Sequence, residues 1–333
     1  MLSDASSQRD TYKPGPYWRR HSKNAANQIA RHGLANFRGA TSTIGQSYAD
    51  SAILDVRHNL TGGFREPFRF LLKSVFPFNR QFDAQVALTT TYWDEARRVR
   101  RILFNDNPRV RDLLERYSMP PSLEGGCLEY VEVGGHQVAM HYLSLLHEHD
   151  LAAQRTDFRA VRSFFEIGGG FGTNVHLLLE NYPNIRKVVY LDIPPNLYVG
   201  TQYLKAIYGD SVRDYRETRK LDRLEFSNNE AREILAITPW QIENLDVGVD
   251  MFYNAHSFVE MPQSVVANYA NRVRELARFE STAVVMLSYD SFDLSTTFDP
   301  DLLPGFFPTK TFHRSTFTAL DGRYNRILFA SIR

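Results

Sequence analysis

The sequence has one cysteine, Cys127, in 333 residues. A lone thiol excludes an internal disulfide framework and any zinc site built from several cysteines, because both need thiols in sets. Charge of one sign is not in excess: 39 Lys and Arg stand against 38 Asp and Glu, a formal net charge of +1. Nucleic acid is therefore not expected as the main partner, since phosphate binding usually leaves a basic imbalance. No apolar run approaches the roughly 18 residues a membrane helix requires, so no membrane span is expected. The opening stretch, MLSDASSQRDTYKPGPYWRR, is polar and holds no apolar core of a secretory signal. A cytoplasmic location is the expectation.

What is present is the composition of an ordinary globular protein, with 43% hydrophobic and 23% charged residues. The length suffices for a full core, or for a catalytic domain with a substantial appendage. Positive charge concentrates at Arg97, Arg98, Arg100 and Arg101, with Arg109 and Arg111 soon after. Such a cluster reads either as a solvated helix face or as a clamp for an anionic substrate such as a nucleotide sugar.

Residues 1 to about 85 are irregular, with turns at Gly15-Pro16 and Gly62-Gly63 and aromatics at Tyr17, Trp18, Phe64, Phe68 and Phe70. That many aromatics argue for an ordered wrap or lid rather than a disordered tail. From Asp83 to about Tyr117 the sequence turns helical and stops at Pro120-Pro121; a second helix, about Gln137 to Leu151, follows the Gly134-Gly135 turn. Residues 86–155 are expected to form a helical cap that contributes to a substrate pocket. From residue 156 to 333, short β-branched or aromatic runs alternate with helix-like segments, the sign of βαβ units in a largely parallel sheet. The strands expected are Ser163–Ile167, Lys187–Leu191, Ile234–Ile237, Asp250–Asn254, Thr282–Leu287, Thr309–Thr318 and Tyr324–Ile332. The last two form a hairpin around Asp321-Gly322. The fold class expected is α/β, a Rossmann-like seven-stranded sheet with an antiparallel C-terminal hairpin.

The most informative segment runs from Phe164 to Leu179. An apolar strand enters the loop Glu166-Ile167-Gly168-Gly169-Gly170-Phe171-Gly172, which opens a helix carrying Val175, Leu178, Leu179 and Tyr182 on one face. Strand, glycine loop and helix let backbone N–H groups and a helix N-terminus approach a ligand closely. A dinucleotide fingerprint needs G-x-G-x-x-G/A. Counted from Gly168 its last position is Thr173, and from Gly170 it is Val175, so both registers fail. Acidic-x-Gly-x-Gly-x-Gly fits instead, as Glu166, Gly168, Gly170 and Gly172, with Gly169 inside the loop. This resembles motif I of the class I methyltransferases that use S-adenosylmethionine (SAM). SAM carries no phosphate, so a carboxylate beside its ammonium and sulfonium groups is favourable where it would repel a pyrophosphate. Twenty positions beyond Gly172, Lys187–Leu191 ends in Asp192, and a carboxylate at that tip can accept both ribose hydroxyls. The third strand leads to Thr238-Pro239-Trp240-Gln241, where Trp240 stacks on the adenine or is plain core.

Two further runs, Asp192-Ile193-Pro194-Pro195-Asn196-Leu197-Tyr198 and Asn254-Ala255-His256-Ser257-Phe258-Val259-Glu260-Met261, resemble those of a bacterial family of sugar O-methyltransferases. The resemblance covers about residues 160 to 290. It implies a SAM-dependent transferase acting on a hydroxyl of a sugar, nucleotide sugar or glycan precursor. It places Asn254, Ser257, Glu260 and Met261 at the C-terminal sheet edge, where open α/β folds bind ligands. Asn254 is expected at the cofactor.

Methyl transfer to oxygen requires alignment and one base. His256 and Glu260 are the candidates, followed by His141 and Asp290. His256 has the better chemistry for the task, and an ordinary loop histidine is the competing reading. His136, His141, His147 and His149 gather around the second helix, and Asp290 and Asp293 follow the fifth strand; nothing in their spacing demands a metal. Two other readings remain open. A nicotinamide-dependent oxidoreductase shares the sheet but lacks the fingerprint, and a non-catalytic scaffold would keep the fold for protein association.

Overall fold

A computed structural model describes residues 1–15, 18–19, 22, 25–27, 29–30, 33–35, 37–40, 98–127, 129–277, 282–289, 298–307 and 311–332. Met1–Lys23, Leu113–Pro120 and Ser144–Arg333 form one compact unit, and Asn24–Asp112 with Pro121–Leu143 form the other. No helix among the described residues is long and apolar enough to cross a membrane.

In the unit of Asn24–Asp112 and Pro121–Leu143, residues 98–106 are helical and α1 begins at Pro108 (Pro108–Arg116). The expected single helix from Asp83 to Tyr117 is thus interrupted. Pro108 has no N–H to donate and is suited to a first turn, and Asn107 Oδ1 accepts from Arg109 N at 3.0 Å. Residues 83–97 lie outside the described residues, as do Tyr17, Phe64, Phe68 and Phe70 of the expected wrap. A hairpin follows, β1 (Tyr130–Val133) and β2 (His136–Ala139). The expected helix from Gln137 is corrected here: Gln137 and Val138 are strand, and helix α2 spans Met140–Ala153. Val131 and Val138 lie opposite each other and are both buried. Gly134 and Gly135 turn with φ of 59° and 80°, the two-residue geometry that follows sheet twist. The arginine cluster is partly committed in this unit. Arg100 pairs with Glu129 at 2.5 Å, Arg101 covers the Tyr130 ring at 4.9 Å, and Arg109 pairs with Asp112 at 2.7 Å.

The other unit holds an eight-stranded sheet. Its strands are β3 (Ser163–Ile167), β4 (Lys187–Leu191), β5 (Val212–Arg213), β6 (Glu233–Ile237), β7 (Met251–Ala255), β8 (Thr282–Tyr289), β9 (Thr311–Thr318) and β10 (Tyr324–Ile332). Their order is β5-β6-β4-β3-β7-β8-β10-β9, with β10 antiparallel to both β8 and β9 and the other pairs parallel. This is the Rossmann-like α/β architecture expected from the sequence, with the short edge strand β5 added. β3 and β6 are buried at every position, as a sheet covered on both faces requires. Helices α3 (Thr173–Asn181), α4 (Pro194–Tyr208) and α5 (Gln263–Leu276) make the crossovers that matter for the site. One face packs Phe165, Ile167, Val189, Leu191, Leu235 and Phe252 into a single apolar core with Val266, Tyr269 and Val273 of α5.

The chain leaves β3 toward β4 and β6 on one side, then returns to β7 on the other. Crossovers diverge at that point, and it is beyond the C-terminal ends of such strands that open α/β folds bind ligands.

Candidate functional site

β3 delivers Ile167 to the sheet edge, and Gly168 turns the chain there with φ of 77°. Gly168 N and Gly169 N donate to Leu191 O at 2.8 and 3.3 Å, which ties the loop to the tip of β4. A Cβ at Gly168 would lie 2.1 Å from Ser257 Oγ. Positive φ and close approach each require glycine here. Gly170 N donates to Asp192 Oδ2 at 2.6 Å, and the Gly170 carbonyl accepts from Tyr190 OH at 2.5 Å. Gly172, with φ of 86°, caps α3, whose N-terminus therefore opens at the loop.

Two carboxylates flank this loop. Glu166, 2% exposed, accepts from Asn174 Nδ2 at 2.9 Å through Oε1, while Oε2 is buried without a hydrogen-bond partner. Oε2 sits against the loop: a Cβ at Gly169 would come within 2.9 Å of it. Burial pushes the Glu166 carboxyl up to about 8; the Asn174 bond opposes the shift and the Asp192 charge adds to it. Asp192 Oδ1 accepts from Ile193 N at 2.6 Å, completing with Gly170 two backbone bonds. Burial still raises Asp192 to about 7 against those bonds, with the charge of Glu260 contributing. Among the described residues, no cation stands against either group.

Beyond β7 lies a second constellation. His256 has φ of 66° and is the only non-glycine residue at positive φ among those described. Its Nε2 is 2.9 Å from Glu148 Oε1 on α2, and its ring stacks on Tyr289 at 4.5 Å and 17°. His256 Nδ1 and Glu148 Oε2 are both buried without hydrogen-bond partners. A carboxylate accepts only, so Nε2 carries the proton in this bond and Nδ1 is the ring's proton acceptor. Between the two constellations stands Tyr253, paired in register with Glu166. Its hydroxyl is buried without a partner, and burial with the charges of Glu148 and Glu166 raises it well above the ordinary phenol range.

The other candidates divide. Asn254 is occupied in shaping the turn: Nδ2 donates to Ile167 O at 2.7 Å and Ser257 Oγ at 2.5 Å, and Oδ1 accepts from Phe258 N at 3.2 Å. Glu260 Oε2 accepts from Trp18 Nε1 at 2.6 Å. Trp240 lies in the turn Pro239–Asn244 and meets Tyr215 edge-on at 6.0 Å. His136 is exposed on β2, and the His141 ring lies edge-on to Tyr142 at 6.3 Å. His147 is edge-on to Phe317 at 5.8 Å, and buried His149 contacts Tyr182 OH at 2.9 Å. Asp290 and Asp293 lie outside the described residues. Among the described residues, no group of three or more His, Cys, Asp or Glu is arranged to hold a metal.

Sequence reasoning missed Glu148, Tyr253, Tyr289 and the contact of Trp18. One signal was available for Glu148. His147-Glu148-His149-Asp150 puts four polar residues in succession on an apolar helix, and all four are buried.

No protein-family model matches the chain, and no curated protein does. Part of the fold is similar to solved structures. The pyocyanin biosynthetic protein PhzM matches over 59% of this chain and 56% of its own, at 18% identity and a TM-score of 0.38. The mitomycin 7-O-methyltransferase MmcR matches over 69% and 59%, at 14% identity and a TM-score of 0.39. The magnesium protoporphyrin IX methyltransferase of Synechocystis PCC 6803, solved with bound SAM, matches over 58% and 80%, at 11% identity and a TM-score of 0.38. The chain spans less than two thirds of the length of the first two.

Proposed function

We propose that the chain binds SAM at the tips of β3 and β4 and methylates a hydroxyl of a small molecule, a sugar or glycan precursor. The carboxylate pair Glu166 and Asp192 carries the cofactor reading. Both are buried, both are raised by burial, and no cation among the described residues opposes them. Ionising such a buried pair calls for an opposite charge from a ligand. SAM offers an ammonium and a sulfonium, and its ribose offers two hydroxyls to Asp192. A pyrophosphate would meet the same pair with repulsion, which disfavours a nicotinamide dinucleotide. The cradle also fits in shape: Glu166 Oε2 is unsatisfied beside Gly169, and the loop carries no Cβ at Gly168, Gly169, Gly170 or Gly172.

When bound, SAM supplies an electrophilic methyl group. The chain's own residues hold the acceptor and move its proton. His256 Nδ1 accepts the hydroxyl proton, Glu148 at Nε2 stabilises the resulting imidazolium, and Tyr289 fixes the plane of the ring. Alignment of a hydroxyl between His256 and the cradle supplies the rest. The sugar as acceptor rests on the resemblance of the runs after β4 and β7 alone.

Calorimetry with SAM tests the cofactor site. Asp192→Ala should weaken binding at least about tenfold, from charge-assisted hydrogen bonds of about 1.5–3 kcal/mol. Unchanged affinity removes Asp192 from the site. For the acceptor, methyl-labelled SAM is incubated with a panel of nucleotide sugars; label on none of them refutes the nucleotide-sugar substrate.

A further inference from the structure

The N-terminal residues belong to the same compact unit as the sheet, and they touch the loops beyond its strand tips in succession. Asp4 Oδ2 accepts from Tyr215 OH at 2.7 Å, and Tyr215 meets Trp240 beyond β6. Arg9 pairs with Glu243 of the same turn at 2.5 Å. Buried Tyr12 donates to Glu243 Oε1 at 2.5 Å and accepts from Asn268 Nδ2 of α5 at 3.3 Å. Gly15 lies so near the turn after β7 that a Cβ would be 3.4 Å from Glu260 O and 3.3 Å from Pro262. Trp18 Nε1 then donates to Glu260 Oε2 at 2.6 Å.

The anchors bracket the cradle. In the sheet order β6-β4-β3-β7, the turns after β6 and β7 stand on either side of the tips that carry Asp192 and the glycine loop. At the end of the segment, Glu260 is near enough to Asp192 for its charge to act on that carboxyl. An indole has one N–H, donor only, so its bond to Glu260 fixes one carboxylate oxygen in place.

We propose that residues 1–15 together with Trp18 form a wall of the cofactor site, and that Trp18 is a positioning residue that holds the Glu260 carboxylate toward Asp192. Glu260 then serves the cofactor beside the ribose-binding Asp192 rather than the acceptor hydroxyl. The inference rests on the cofactor reading above.

The test titrates S-adenosylhomocysteine by calorimetry into the wild-type chain, Trp18→Phe, Glu260→Gln and the double variant. Circular dichroism and melting curves accompany each titration. Phenylalanine keeps the aromatic packing and removes the donor. Each single change should weaken binding about fivefold or more, and the double should be no weaker than the weaker single, because Trp18 acts only through the Glu260 charge that Glu260→Gln already removes. A tryptophan that merely filled space would act independently of Glu260, and the two losses would multiply. Multiplying losses, or Trp18→Phe binding as well as wild type, overturns the proposal. Should Trp18→Phe fail to fold, near-isosteric Glu260→Gln carries the test, and unchanged affinity for it overturns the proposal. Absence of binding by the wild-type chain refutes the cofactor reading and this inference together, whereas wild-type binding with a silent Trp18→Phe refutes this inference only.

Discussion

SAM binding should release protons. In the chain without ligand the Glu166 carboxyl titrates at about 8 and Asp192 at about 7. At pH 7 the first is then about 90% protonated and the second about half, so the pair holds on the order of 1.4 protons. An ammonium or sulfonium beside Glu166 and ribose hydroxyls on Asp192 both favour the charged forms. Binding therefore drives the two groups toward the ordinary carboxylate range and expels about one to one and a half protons. Calorimetry at pH 7 in buffers of different ionisation enthalpy reads this number as the slope of observed against buffer enthalpy. Affinity should also rise between pH 6 and 8, by up to about tenfold per unit for each proton released. Glu166→Gln removes the larger share and should leave roughly half a proton. A slope of zero in the wild-type chain, or net proton uptake, would refute the assignment of these carboxylates to a cationic ligand.

The same groups set the stability of the ligand-free chain. Both hold protons more tightly folded than unfolded, so their contribution is complete below the ordinary carboxylate values near 4 and is lost as pH rises through about 7 to 8. Melting temperatures should fall across that window and fall less with saturating S-adenosylhomocysteine; a flat profile contradicts the burial account. His256→Ala should lower methyl transfer by about 10²–10⁴-fold and Glu148→Gln by less, with S-adenosylhomocysteine affinity nearly intact. Comparable loss of that affinity would put the His256 ring at the cofactor instead of the acceptor. Gly200→Ala replaces glycine inside α4, a change that ordinarily stabilises a helix by about 1 kcal/mol. Here the added Cβ would lie 2.1 Å from Tyr190 OH, the donor to Gly170 O, so destabilisation by about 1–3 kcal/mol is expected in denaturant titrations. A more stable variant would show that Tyr190 can move without cost.

The parts of the fold legible in the sequence are those set by local chemistry. β3, β4 and β10 occupy the residues their apolar runs indicated, and β7 lies one residue further on, at Met251–Ala255. Gly168 and Gly172 announced the turn because their positive φ excludes most other residues. The hairpin of β1 and β2 is hard to tell in sequence from a turn before a helix, because Gly134-Gly135 suits both, and only the apolar Val131 and Val138 on either side favour the strands. The helical composition toward Tyr117 continues across Asn107-Pro108, and only the proline, which starts a new helix there, marks the break. The partners of the candidate site residues were beyond reach for a different reason. His256 and Glu148 are separated by 108 positions, and Trp18 and Glu260 by 242. Neither contact follows from periodicity; each requires the topology that brings the turn after β7 beside α2 and the N-terminal segment.

The central claim is that the glycine loop between Glu166 and Asp192 holds SAM. Titration of the wild-type chain with S-adenosylhomocysteine and, in parallel, with NAD⁺ tests it most directly. Saturable one-to-one binding of S-adenosylhomocysteine, lost in Gly168→Ala because the added Cβ would lie 2.1 Å from Ser257 Oγ, and no binding of NAD⁺, is the result expected. No heat with S-adenosylhomocysteine, or saturable binding of NAD⁺ at the same loop, would contradict it.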